Sequence, residues 1–162
     1  MTELMDNELI EIRKEEKSEI LNFFDDTSVF ITGTTGFLGR LILEKLLRAC
    51  KGIKRIYVLI RAKKGKSIQQ RYEDLFDLVI YDGLKRKDPR IFDKVVLIEG
   101  DCILPNMGMS EQNQQIILND VNCVFHCAAI VRFDETLRAY AYANVRATRD
   151  LLLLAKSMRN LK

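Results

Sequence analysis

No stretch of about 18 consecutive apolar residues occurs in this chain of 162 residues, so nothing in it reads as a bilayer-spanning helix. Its first residues are acidic and lack an apolar centre, so they do not read as a secretory signal. The four cysteines stand at irregular positions, unlike a disulfide framework, and suit reduced thiols inside a cell. No motif supports nucleic-acid binding. The only Tyr-x-x-x-Lys spacing, Tyr81 to Lys85, contains Gly83, which is expected to interrupt the helical turn that would bring the two side chains together.

What is present begins with an uneven charge. Residues 1–26 hold nine acidic and three basic side chains, so against a formal net charge of +3 the remainder carries +9. A basic body suits anionic ligands such as phosphates and coenzyme A, or an anionic membrane face; a plain solvated surface has the same composition. The apolar fraction of 48% and the chain length fit one globular domain with a substantial core. Residues 1–26 read as a polar leader. Leu9, Ile10, Ile12, Ile20, Leu21, Phe23 and Phe24 can form a short amphipathic helix, with Ser18 to Phe24 packed on the domain.

The informative stretch is Val29-Phe30-Ile31-Thr32-Gly33-Thr34-Thr35-Gly36-Phe37-Leu38-Gly39. A short apolar run stops at three glycines spaced three apart, and a helical pattern follows through Leu41, Ile42 and Leu46. This is a strand, a tight turn and the start of a helix. Gly33 suits the turn, Gly36 lets backbone approach a pyrophosphate, and Gly39 lets the helix lie close. The unpaired amides at the helix start attract phosphate oxygens.

A second apolar run, Arg55 to Ile60, reads as a strand covered on both faces. The basic cluster Arg61-Ala62-Lys63-Lys64-Gly65-Lys66 follows it, where a domain preferring NAD usually places an acid against the ribose hydroxyl. A cation there suits a 2′-phosphate, with Arg61 as the candidate, so the cofactor expected is NADPH. Ser67 is expected to cap a helix reaching about Val79. The third strand, Lys94 to Glu99, leads to Gly100-Asp101, placing Asp101 where an adenine amino group can be met. Ser110 is expected to cap a helix through Leu118.

The fourth strand, Val121 to Cys127, ends in Ala128-Ala129, a small pair that leaves room for a ribose or nicotinamide. Cys123, His126 and Cys127 cannot converge on a metal, because alternation puts His126 on the opposite face from the two cysteines. A long helix is expected from about Thr136 to Arg159, with Asn144 facing inward, either pinning backbone or ordering a water. The order β-α-β-α-β-α-β-α predicts an α/β fold, a Rossmann-type doubly wound parallel sheet truncated after about four strands. Residues 27–162 would then form the first part of an NAD(P)-binding domain, with the fourth strand as an open edge.

These stretches, with Val131 to Glu135 and Asn144-Val145-Arg146-Ala147-Thr148, resemble the alcohol-forming fatty acyl-CoA reductases, an atypical extended branch of the short-chain dehydrogenase/reductases. The likeness covers about residues 27–162 and is nearest to animal members, especially those of insects. Thr34 and Ala147 stand where the family usually has glycine. The resemblance implies NADPH-dependent reduction of a long-chain fatty acyl-CoA to a primary alcohol through an aldehyde. It implies that Gly33, Thr35, Gly36, Phe37, Leu38 and Gly39 serve the pyrophosphate and Arg61 the 2′-phosphate. Asp101 and Cys102 would border the adenine, Ala128 and Ala129 the nicotinamide ribose, and Asn144 would support a proton relay. The family's catalytic Ser or Thr, Tyr and Lys are expected beyond Lys162, so this polypeptide alone is expected to be inactive. The family also implies a peroxisomal or endoplasmic-reticulum membrane location. A reductase of carrier-bound thioesters or sterols, and an inactive nucleotide-binding chain, are the readings left beside it.

Overall fold

The computed structural model describes residues 18–162 other than Lys64 and Phe133. The leader positions Leu9, Ile10 and Ile12 lie outside the described residues. Helix α1 (Glu19–Phe24) leads into strand β1 (Ser28–Thr32), helix α2 (Phe37–Ala49) and strand β2 (Arg55–Ile60). Helix α3 (Ile68–Phe76) follows, then a 3-10 turn (Val79–Tyr81), helix α4 (Asp82–Lys87), a second 3-10 turn (Pro89–Lys94) and strand β3 (Val95–Glu99). A further turn (Pro105–Gly108), helix α5 (Glu111–Asp120), strand β4 (Cys123–His126), helix α6 (Leu137–Tyr140), a π-helical turn (Ala141–Arg146) and helix α7 (Ala147–Lys156) complete the chain.

The sheet order is β3-β2-β1-β4, and all three pairings are parallel. Strand β1 is central, and all five of its residues are buried, as a strand covered on both faces requires. Val29, Ile31, Ile56, Val58 and Ile60 point to one face, where Leu43, Leu46 and Leu47 of α2 and Leu75 of α3 cover them. Phe30, Tyr57, Leu59 and Ile98 point to the other, under Ile117 of α5 and Leu151 of α7. Helices on both faces make the sheet doubly wound. Leu21 and Phe24 of α1 pack against the first cluster, with Phe24 stacked on Phe125 at 6.4 Å.

Helix caps follow the sequence. Ser67 and Gln70 form a reciprocal capping box at α3, and the Ser110 hydroxyl accepts the Asn113 amide at 3.2 Å. Three expectations need correction. Helix α3 stops at Phe76, three residues early, because Val79–Tyr81 turns inward to seat Tyr81 among Phe76 and Phe92. Gly83 does not break a helix; it lies inside α4. What removes Tyr81 from chemistry is burial: its hydroxyl donates to the Arg40 carbonyl at 3.1 Å, while Lys85 pairs with Asp77. The last helix ends at Lys156 and changes pitch through its π-helical turn.

Candidate dinucleotide site

The carboxyl ends of the four strands meet at a cleft of about 250 Å³. Its first wall is the turn after β1. Gly33 has φ of +72°, and a β-carbon there would lie 2.5 Å from the Ala128 nitrogen and the Cys127 carbonyl carbon. Only a residue without a side chain satisfies both the angle and the space. The Gly36 amide donates to the Gly33 carbonyl at 2.9 Å and closes the turn. Helix α2 then starts with no side-chain cap, leaving its first amides to whatever enters the cleft. A β-carbon on Gly39 would come within 2.4 Å of the Gly33 oxygen, so Gly39 packs the helix onto the turn itself.

Of the residues singled out from sequence, Gly33, Thr35, Gly36, Arg61, Asp101, Cys102, Ala128 and Ala129 line the cleft. Phe37 and Leu38 do not line it; the two residues are 81% and 57% exposed. Gly39 lies buried beneath the turn. Asn144 is also outside the lining, and its neighbour Ala143 takes that position. The Asn144 carboxamide is spent on one backbone unit: its oxygen accepts the Ile130 amide at 2.8 Å and its nitrogen donates to the Ile130 carbonyl at 2.9 Å. Its own carbonyl accepts the Thr148 hydroxyl at 2.8 Å.

Arg61 leaves β2 and reaches Asp101 across the cleft at 3.2 Å. The other Asp101 oxygen accepts the Ile103 amide at 3.1 Å, which fixes the carboxylate at the exit of β3. Lys66 is turned away, paired with Asp74 at 2.6 Å. The Cys102 thiol is pushed up to about 11, by burial first and the Asp101 charge second, so it stays protonated.

A second cationic side chain, not marked by any motif, completes the site. Arg71 of α3 donates to the Thr35 hydroxyl at 3.1 Å and to the Arg61 carbonyl, and it lines the cleft. Burial, and then the Arg61 charge, draw its guanidinium below the usual range, yet arginine stays charged at neutral pH. No local pattern marks it, because its partner Thr35 lies 36 residues away. His126 was weighed only as a metal ligand. Its Nδ1 instead sits 2.7 Å from the Thr32 hydroxyl, and burial lowers its pKa, leaving it neutral. Among the described residues no His, Cys, Asp or Glu trio is placed to hold a metal ion.

A parallel doubly wound sheet, a glycine turn feeding an uncapped helix, and a cleft beyond the strand tips define a dinucleotide-binding domain of the Rossmann type. The family model of the male sterility protein matches residues 31–162. The chain is 41% identical over 143 residues to fatty acyl-CoA reductase 1 of Mus musculus, which covers 88% of this chain and 28% of that protein. It is 43% identical over 147 residues to fatty acyl-CoA reductase wat of Drosophila melanogaster, covering 91% of this chain and 28% of that protein. The terminal R domain of the myxalamid PKS-NRPS pathway superposes with a TM-score of 0.65 at 28% identity, over 85% of this chain and 33% of that one. The chain therefore belongs to the male sterility protein family and is similar to part of these fatty acyl-CoA reductases. It spans about 28% of the length of those two relatives.

Proposed function

We propose that residues 27–162 form the NADPH-binding part of an alcohol-forming fatty acyl-CoA reductase. One observation carries the coenzyme choice. Arg61 and Arg71 converge on the exit of β2, where a domain selective for NAD places an acid, and both line the cleft. Two guanidinium forks suit a dianionic 2′-phosphate. The residues fit the rest of a dinucleotide as well: the cradle at Gly33 is one that a β-carbon would fill, and the helix amides beside it are uncapped. Gly33, Thr35 and Gly36 would hold the pyrophosphate, Asp101 and Cys102 would border the adenine, and Ala128 and Ala129 would face the nicotinamide ribose. Bound there, the coenzyme supplies hydride. The acyl-CoA substrate, the alcohol product and a peroxisomal or endoplasmic-reticulum membrane location belong to the same proposal, supported by the likeness to fatty acyl-CoA reductases.

This chain's own part is to bind and orient. Among the described residues no tyrosine or lysine lines the cleft, so the tyrosine and lysine pair implied by the family resemblance has no counterpart there. The polypeptide unaided is expected to bind coenzyme and release no alcohol. Titration with NADPH and NADH tests the reading. Tighter binding of NADPH by about tenfold or more, lost in Arg61→Ala and Arg71→Ala, is the expected result. Equal affinity for the two coenzymes overturns the NADPH assignment, and alcohol made from acyl-CoA by the pure chain overturns the expected inactivity.

A further inference from the structure

Thr32 is the last residue of β1 and is wholly buried. It holds the exit of β4 in two ways. Its carbonyl accepts the Cys127 amide at 3.2 Å, and its hydroxyl accepts the Ala128 amide at 3.4 Å. The same hydroxyl lies 2.7 Å from His126 Nδ1. His126 Nε2 is buried with no partner.

A threonine hydroxyl offers one proton and two lone pairs. One lone pair takes the Ala128 amide. Two arrangements satisfy the remaining contact. If Thr32 donates to His126 Nδ1, the imidazole proton sits on Nε2 and becomes a buried, orphaned N–H. If His126 donates from Nδ1, the second lone pair of Thr32 is filled, but the Thr32 proton then has no acceptor and Nε2 keeps a bare lone pair. The first arrangement leaves one buried polar atom unpaired and the second leaves two. The first arrangement is therefore favoured.

We infer that His126, held as the Nε2–H tautomer with Nδ1 accepting from Thr32, is a positioning residue for the coenzyme: through the Thr32 hydroxyl it fixes the Ala128 amide and with it the nicotinamide-side wall of the cleft. The wall has little room to drift, because Gly33 touches the Cys127–Ala128 peptide with no space for a β-carbon between them. A shift at Ala128 is passed directly to the phosphate turn. This inference rests on the coenzyme reading above, and its first test does not.

The chain holds a single histidine, so imidazole nitrogen NMR of the unliganded protein reports one residue. A bare Nδ1 and a protonated Nε2 are expected; a protonated Nδ1 overturns the tautomer. The second test compares NADPH with adenosine 2′,5′-bisphosphate, which reaches only the adenine end. Thr32→Val and His126→Leu are expected to weaken NADPH by about tenfold, the worth of one well-made buried hydrogen bond, and leave the bisphosphate within about twofold. Thr32→Ser and His126→Asn, which keep the hydroxyl and an acceptor for its proton, are expected to restore binding. Equal losses for both ligands, or none for either, overturn the positioning role. Failure of the wild-type chain to bind either ligand overturns the coenzyme reading instead.

Discussion

The Arg61 guanidinium and the Asp101 carboxylate face each other across the mouth of the cleft at 3.2 Å, joining the exits of two adjacent strands. The arginine side chain is 56% exposed, so the pair contributes at most about 1 kcal/mol. It is easily exchanged for a stronger partner. Asp101→Asn keeps the oxygen that accepts the Ile103 amide and removes the charge competing for Arg61. It is expected to leave the urea midpoint nearly unchanged and to tighten adenosine 2′,5′-bisphosphate by a few-fold, read by calorimetry.

Gly33 and Gly36 should separate folding from binding. Gly33→Ala forces an alanine to φ of +72° and a methyl group to 2.5 Å from backbone, so it should lose about 1–3 kcal/mol or more of stability along with coenzyme binding. At Gly36 a β-carbon meets only the Gly33 oxygen, at 3.2 Å, and the backbone angle is ordinary. Gly36→Ala should fold nearly normally and bind NADPH much more weakly. Paired denaturation and fluorescence titrations distinguish the two.

Asn144 should matter to stability through Ile130. Asn144→Asp replaces a donor with an acceptor facing the Ile130 carbonyl, and is expected to cost about 1–3 kcal/mol. Asn144→Ala should cost less, because it leaves unpaired groups without setting oxygen against oxygen. Thermal unfolding in the order wild type, Ala, Asp checks this.

At the opposite end of the sheet, Asp120 accepts from Lys54 and Ser28 at 2.7 Å and from Tyr57 at 2.8 Å. Burial opposes its ionisation, but these three donors outweigh burial and hold its pKa below the usual 3.8. A depressed carboxylate adds stability that is complete above pH 3.8 and fades as pH falls through the folded value. The partner Tyr57 is raised from 10.0 to about 12, by burial first, so its contribution holds below pH 10 and is lost as pH rises toward 12. Asp120→Ala should flatten the acid limb of a stability–pH curve and lower the neutral plateau by about 1–3 kcal/mol.

Much of this architecture was readable from local pattern. The β1 turn could be placed because an apolar run, a glycine spacing and a helical period occur within a dozen residues. Both serine caps declared themselves by type and position. The segment after Phe76 was not readable, because Gly83 and the small turns around it are held by the aromatic packing of Phe76, Tyr81 and Phe92, which overrides helix propensity. Pattern also gave the inward direction of Asn144 but not its partner, fourteen residues back. Arg71 and His126 escaped for the same reason: their contacts, Thr35 and Thr32, lie 36 and 94 residues away. Nothing in a chemical type tells a guanidinium which loop it will reach.

The pairing of β1 with β4 also sets an order of events during translation. Ala128 is made 96 residues after Thr32. At about 5–20 residues per second, the glycine bend leaves the ribosome on the order of ten seconds before its opposite wall exists. Until then the nascent β1 carries one edge of unpaired backbone N–H and C=O groups, and the bend has nothing to close against. The cleft is thus completed only when the fourth strand arrives.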